Sequence, residues 1–159
     1  MNVTLTPWEY KAAIDNASTR MAVSKGQGTK DISPTKRTWY DELQIDVLGS
    51  CGEIAVAKVV NQFWSPSVNT MHRIADVGAD IEVRTTTRED GYLIVRENDA
   101  DDRWFFLVTG QPPHLTVRGY LLGGDAKRDE WFQPSNNGYR PAWFVPQSAL
   151  KPIPAKESV

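Results

Sequence analysis

Two acidic features of this 159-residue chain have the residue types and spacing for metal chemistry. Glu53 is the only carboxylate between Val47 and Val60, in an otherwise almost wholly apolar run. A carboxylate carried into an apolar core costs several kcal/mol unless something compensates it. A salt bridge to a distant Arg or Lys would do so, as would protonation, a metal ion or exposure at the helix edge. The second feature is Asp76-Val-Gly-Ala-Asp80-Ile-Glu82-Val-Arg84. Gly78 permits a tight reversal, so Asp76 and Glu82 can face each other across a hairpin. A five-residue loop would oppose them directly, and a two-residue turn at Gly78-Ala79 would shift that pairing. Glu82 and Arg84 alternate with Val83 and share one face of a strand, with Ile81 and Val83 on the other. Asp76, Glu82 and Arg84 converging beside a helix glutamate form an expensive cluster unless it binds cations. Hard oxygen ligands of this kind suit Mg²⁺ or Mn²⁺.

The elements that must position these residues are legible from periodicity. Thr6-Pro7, followed by Trp8, Ala12, Ala13, Ala17 and Met21, predicts a first helix with proline in its first turn. The stretch from Lys25 to Lys36 reads as a loop, and with Arg37 it carries Lys25, Lys30 and Lys36. It is either a solvated connector or an arm that touches phosphate backbone. From Thr38 to Asn61, Leu43, Val47, Cys51, Ile54, Ala55, Lys58 and Val59 recur at helical steps. Its second half is apolar nearly all round, which predicts burial on more than one side. Gly49 and Gly52 would each cost about 1 kcal/mol relative to alanine, and are best explained by another backbone packing close by. Lys58 lies about 140° round an ideal helix from Glu53, so it is expected at a solvated end rather than in the site.

After Trp64-Ser65-Pro66 the period changes to two. Strands are expected over Asn69–Ala75, Ile81–Thr86, Tyr92–Arg96, Trp104–Thr109, Leu115–Leu122 and Trp143–Val145, with short helical pieces at Gly124–Trp131 and Pro146–Leu150. A helix followed by a run of strands predicts an α+β class: a mixed or antiparallel-rich central sheet packed on a buried helix. One domain, residues 1–159, is expected, with an N-terminal helix and basic loop over 1–37, a core over 38–150 and a fraying tail over 151–159.

Composition narrows the chemistry. A single cysteine, Cys51, excludes an intrachain disulfide and a Cys-rich zinc cage, and a Cys inside an apolar helix is a small core residue rather than the partner of His72 or His114. Those two histidines lack the helical spacing of a zinc-protease site, and neither GxGxxG nor GxxxxGK[ST] occurs. Ser50, in Gly-Ser-Cys-Gly, does not match a nucleophile elbow. Asn98–Asp102 lacks the glycine and terminal glutamate of a calcium loop and reads as a solvated turn. The six tryptophans are expected to be mostly core anchors, with one or two near a site mouth able to stack on bases. No apolar run reaches the roughly 20 residues of a membrane span, and the first residues do not read as a signal peptide, so a reducing, cytoplasmic setting is expected. The net charge of −2 means that contact with nucleic acid must use a local patch.

Glu53 on a helix, then Asp76, then Glu82-Val83-Arg84 on a strand resembles the PD-(D/E)XK nuclease superfamily. Thr116–Lys127 and Trp143–Pro152 look similar to an uncharacterised phage and bacterial branch with the same organisation, so the resemblance runs over about 40–152. It implies a restriction-endonuclease-like core and Mg²⁺- or Mn²⁺-dependent hydrolysis of DNA phosphodiester bonds. Asp76, Glu82 and the Val83 carbonyl would ligate the metal, Glu53 would help directly or through water, and Arg84 would steady a phosphate oxygen or the attacking water. The sequence departs from the pattern at Arg84, where the superfamily has lysine, and at Ala75, where it has proline; Asp80 competes with Asp76 as ligand. Arginine is effectively never a neutral base. The alternative is therefore a nuclease fold that no longer cuts and binds nucleic acid or protein as an accessory factor. Either reading admits a homodimer.

Overall fold

The computed structural model describes residues 1–28, 36–68 and 74–154. Two long helices come first after a short strand, β1 (Asn2–Thr4). Helix α1 (Pro7–Gly26) starts at a capping box: Thr6 Oγ1 accepts from the Glu9 N–H at 3.2 Å while Thr6 N donates to Glu9 Oε2 at 2.7 Å. Helix α2 (Trp39–Val60) uses the same device with Thr38 and Asp41, and ends where Asn61 turns left-handed at φ 55°. The sequence placed α2 between these same capping residues. It ended the first helix too early: Lys25 lies in the last turn of α1 and bonds Glu42 of α2 at 2.5 Å, so it is an interhelix tie rather than a loop cation. Lys30 lies outside the described residues.

The strands β2 (Ile81–Thr86), β4 (Trp104–Gln111) and β5 (His114–Leu122) join β1 in a sheet of order β1-β5-β4-β2. Strand β2 runs parallel to β4, and the other pairs are antiparallel. A second sheet, absent from the sequence expectation, has the order β3-β7-β6, with β3 (Leu93–Arg96), β6 (Phe132–Gln133) and β7 (Ala142–Val145). Of the expected strand at Asn69–Ala75, residues 69–73 lie outside the described residues, and Ile74 and Ala75 are not in a strand. The expected helix at Gly124–Trp131 is one turn, α3 (Gly123–Ala126), followed by a 3₁₀ turn at Asp129–Trp131. The class is α+β with a mixed sheet, and among the described residues no helix is long and apolar enough to cross a membrane.

Alternation along β4 creates two cores. Phe106 and Val108 face α2 together with Ile54, Val83 and Val117. Phe105 and Leu107 face the second sheet together with Leu93, Val95 and Val145. With both faces covered, β4 reads as a continuous apolar run, as doubly buried strands do. Helix α2 approaches β2 at Gly52, where a Cβ would lie 1.9 Å from Thr85 Oγ1. A side chain, not a backbone, therefore explains this glycine, and Gly49 faces open space with nothing within 4 Å of a Cβ.

Several expected surroundings differ. Lys58 is tied down, donating to Glu9 Oε2 at 2.9 Å and Thr4 O at 3.3 Å, which locks the end of α2 to the start of α1. Trp8 and Trp39 are exposed, whereas Trp64, Trp104 and Trp131 pack at the borders of the two cores. Lys151 does not fray: its backbone exchanges hydrogen bonds with Tyr120 at 3.1 and 2.9 Å.

Candidate functional site

Strand β2 is the end strand of the larger sheet, so alternate backbone groups along it point away from β4. Ile81 uses its outward groups to pair with Val77, at 3.1 and 3.3 Å. Extended by one residue, that register sets Asp76 opposite Glu82, the five-residue-loop arrangement, which is one of the two the sequence allows. Gly78 makes the reversal at φ +61°, and a Cβ there would also lie 2.0 Å from Gln62 Oε1. Two residues further along the edge, the Val83 N–H donates to Asp76 Oδ2 at 2.8 Å. The N–H and C=O of one strand residue point the same way, so the Val83 carbonyl also faces the free edge beside Asp76. Asp80 is exposed and contributes its backbone oxygen to Trp104 N at 2.8 Å, so Asp76, not Asp80, occupies the edge.

Glu82 is only 5% exposed. Arg103 makes a close ion pair with its Oε1, and Arg84 Nη1 stands 3.8 Å from Oε2. Burial, and then the charge of Asp76, push the Glu82 carboxyl up to about 7 against the pull of both arginines. Arg84 shares the face of Glu82 as expected, but its firm partner is Asp99, at 3.1 and 2.9 Å. Its guanidinium also lies 5.1 Å from the Phe105 ring centre and 3.4 Å from Val83 O. Asp99 accepts from the Arg96 N–H as well, at 2.8 Å. The Asn98–Asp102 segment is thus a turn, but Asp99 is not solvated.

Glu53 is equally buried on the opposite side of β2, where α2 packs. Arg20 grips it with two hydrogen bonds of 3.0 and 3.1 Å, and Trp64 Nε1 adds one at 2.9 Å. Arg20 is itself anchored on Ser67 O at 2.7 Å. Burial raises the Glu53 carboxyl above its ordinary value, Arg20 opposes that, and Asp76 reinforces it. The Asp76 charge therefore acts on both glutamates. Arg20 and Trp64 engage both Glu53 oxygens, so the compensation for this buried charge includes a salt bridge to a distant arginine, one of the alternatives the sequence leaves open. Among the described residues no group of three or more His, Cys, Asp or Glu side chains gathers as a cation cage.

Arg20, Trp64, Arg103 and Asp99 complete the arrangement, and sequence reasoning singled out none of them. Arg20 and Glu53 are 33 residues apart, a separation with no periodic signature. Arg103 immediately precedes β4, and only the parallel register that sets Phe105 beside Glu82 brings it to that carboxylate. Cys51 is fully buried with its thiol pushed up to about 12 by desolvation, the Ser50 hydroxyl donates to the Asn16 amide oxygen at 3.2 Å, and His114 is exposed beside Thr4. His72 lies outside the described residues. A cavity of about 720 Å³ between the helices and Pro112 is lined, among the described residues, by Asp41 and by no cationic side chain.

No family model, curated protein or solved structure matches the chain.

Proposed function

We propose that this chain is a divalent-metal-dependent nuclease, with a restriction-endonuclease-like core, that hydrolyses phosphodiester bonds of DNA. The reading rests on the Asp76–Glu82 pair at the open edge of β2, where burial, and then a second carboxylate, make the Glu82 carboxyl hard to ionise. Two carboxylates and the outward Val83 carbonyl fit Mg²⁺ or Mn²⁺, because Mg²⁺ is usually held by one or two carboxylates with water completing its shell. Asp76, Glu82 and Val83 O would hold such an ion, which when bound supplies charge neutralisation and an acidified water. Arg103 fixes Glu82 Oε1 and leaves Oε2 turned toward Arg84. Arg84 is held in place by Asp99, and its guanidinium is suited to a phosphate oxygen rather than to proton abstraction. Glu53 acts at a distance, as the clamp partner of Arg20 that holds α2 beside the site.

One observation favours a second reading, a nuclease fold that binds without cutting. Arg103 already supplies Glu82 with a countercharge, and Arg84 is committed to Asp99. Incubation with supercoiled plasmid and with single-stranded and branched DNA in Mg²⁺ or Mn²⁺ separates the two. Cleavage that disappears in Glu82→Ala supports the nuclease. Cleavage that survives this substitution discards the site, and DNA binding without cleavage in either metal selects the second reading.

A further inference from the structure

The outer face of the small sheet continues from the candidate site. Residues 93 and 95 of β3 point into the second core, so Tyr92, Ile94 and Arg96 point away from it. Phe144 pairs with Ile94 across the sheet and sets its ring 6.4 Å from that of Tyr92, edge to face. Tyr92 is 51% exposed. At one end of this face lies a cavity of about 190 Å³, lined by Arg84, Thr86, Tyr92 and Arg96. At the other end a second hollow, of about 360 Å³, is walled by Tyr92, Trp131, Phe132 and Phe144. Tyr92 belongs to both.

The charges there are lopsided. Arg96 donates to the Arg140 carbonyl at 3.3 Å, and among the described residues its guanidinium forms no ion pair with a carboxylate. Partial burial and the neighbouring charges of Arg140 and Arg84 pull its pKa down, with Asp99 opposing. Arg84 and Arg96 both line the small cavity, and of the two only Arg84 has a carboxylate partner among the described residues, which makes the cavity a place for an anion. The acid near the aromatic end, Glu130, has Arg128 at 3.9 Å. An exposed tyrosine ring, backed by the half-buried Phe144 and adjoining an arginine-lined cavity, is the combination that single-stranded nucleic acids use, with bases stacked on rings and phosphates on cations.

We infer that the outer face of the β3-β7-β6 sheet binds a single nucleic-acid strand, with a phosphate between Arg84 and Arg96 and a base stacked on Tyr92. This deepens the nuclease reading by assigning its substrate class, a single-stranded segment led to the β2 edge, and it rests on that reading only for the cutting. The full chain, in EDTA, is titrated into a fluorescein-labelled twelve-nucleotide oligothymidylate and followed by anisotropy at several salt concentrations. Tyr92→Leu should weaken binding about fivefold or more, the loss of one stacked base. Arg96→Gln should reduce the slope of log affinity against log salt by about 0.7, one phosphate contact on a single strand. Unchanged thermal melting keeps either loss from being a folding defect. Both variants binding as the parent does would overturn the inference, as would a blunt duplex bound equally well by the parent and Tyr92→Leu. Displacement of the oligonucleotide by inorganic phosphate, with Tyr92→Leu unaffected, would reduce the site to an anion pocket and also overturn it. The two readings fail separately. Cleavage in Mg²⁺ with indifferent Tyr92→Leu and Arg96→Gln variants sinks the strand platform alone. Strand binding that needs both residues, without cleavage in any metal, sinks the nuclease alone.

Discussion

Glu53 and Glu82 are both 5% exposed and both meet an arginine, on opposite sides of one edge strand, yet their surroundings leave different amounts undone. Around Glu53, a bidentate guanidinium and an indole N–H use both oxygens, and the arginine is itself anchored on Ser67. Around Glu82, one oxygen has Arg103, the other has Arg84 no nearer than 3.8 Å, and Asp76 repels the pair from the strand edge. The first cluster is closed, and its chemistry is spent on holding α2 in place. The second retains charge-binding capacity. A buried acid is thus a functional candidate only after its hydrogen bonds have been counted.

The comparison is broken most severely from the closed side. Arg20→Ala leaves Glu53 buried without its partner, which typically costs about 3–5 kcal/mol. Urea unfolding should show a loss of that order, and Arg20→Ala/Glu53→Gln should recover part of it. A loss below about 1 kcal/mol would mean that water reaches Glu53 and that the cluster is open after all. On the other side, Glu82→Ala should lower cleavage about a thousandfold, the effect of several kcal/mol of lost charge stabilisation. Asp76→Asn should behave similarly. Equal activity losses in Glu53→Gln and Glu82→Ala, at equal stability, would erase the distinction.

Titration sharpens it next. Glu82 has a folded value of about 7 against an ordinary 4.5, so the folded state holds this proton more tightly than the unfolded chain. Its contribution to stability is therefore fully present below about pH 4.5 and is lost as pH rises through 7. Glu53 is shifted in the same direction by burial. Glu9, lowered by Lys58 and Thr6 against its partial burial, works oppositely but only at acid pH, below its ordinary range. Between pH 5.5 and 8 the wild type should lose on the order of 1–3 kcal/mol, and Glu82→Gln should lose less. Added Mg²⁺ should restore stability at pH 8 in the wild type and not in Glu82→Gln, because a ligand that binds only the folded state stabilises it. Parallel pH curves for the two proteins would remove Glu82 as the group under strain.

Local signals made much of this architecture legible, and tertiary ones did not. Both helix starts were written in capping pairs, and the end of α2 in Asn61. Gly78 marked the reversal between Asp76 and Glu82, but the sequence left two registers for it, of which the five-residue loop is the one adopted. Strand β1 is three residues long and exists through β5, more than a hundred residues away, so no window of sequence contains its cause. The division of strands between two sheets is equally non-local: β3 and β7 look like ordinary strands until Phe105 and Leu107 provide a second core beneath them. The candidate carboxylates could be picked out because acids are rare in apolar runs. Their arginine partners could not, since arginines far apart in sequence carry no sign of which acid they will meet.

The smallest test sits where the two clusters touch. Gly52 precedes Glu53 on α2 and faces Thr85 on β2, whose Oγ1 is buried without a hydrogen-bond partner. Gly52→Ala would drive a methyl group to 1.9 Å from that oxygen, and overpacking of this kind costs about 1–3 kcal/mol. Thr85→Val keeps the shape and removes the unsatisfied hydroxyl, so it should be neutral or stabilising by up to about 1 kcal/mol. Thr85→Ala clears the space, and in a double-mutant cycle with Gly52→Ala it should recover most of the loss. If the contact is what holds α2 against β2, Gly52→Ala should weaken the Glu53 clamp and the Glu82 edge together, read as stability and cleavage falling in step. Cleavage falling while stability holds would instead mean that α2 sets the geometry of the open cluster without carrying its energy.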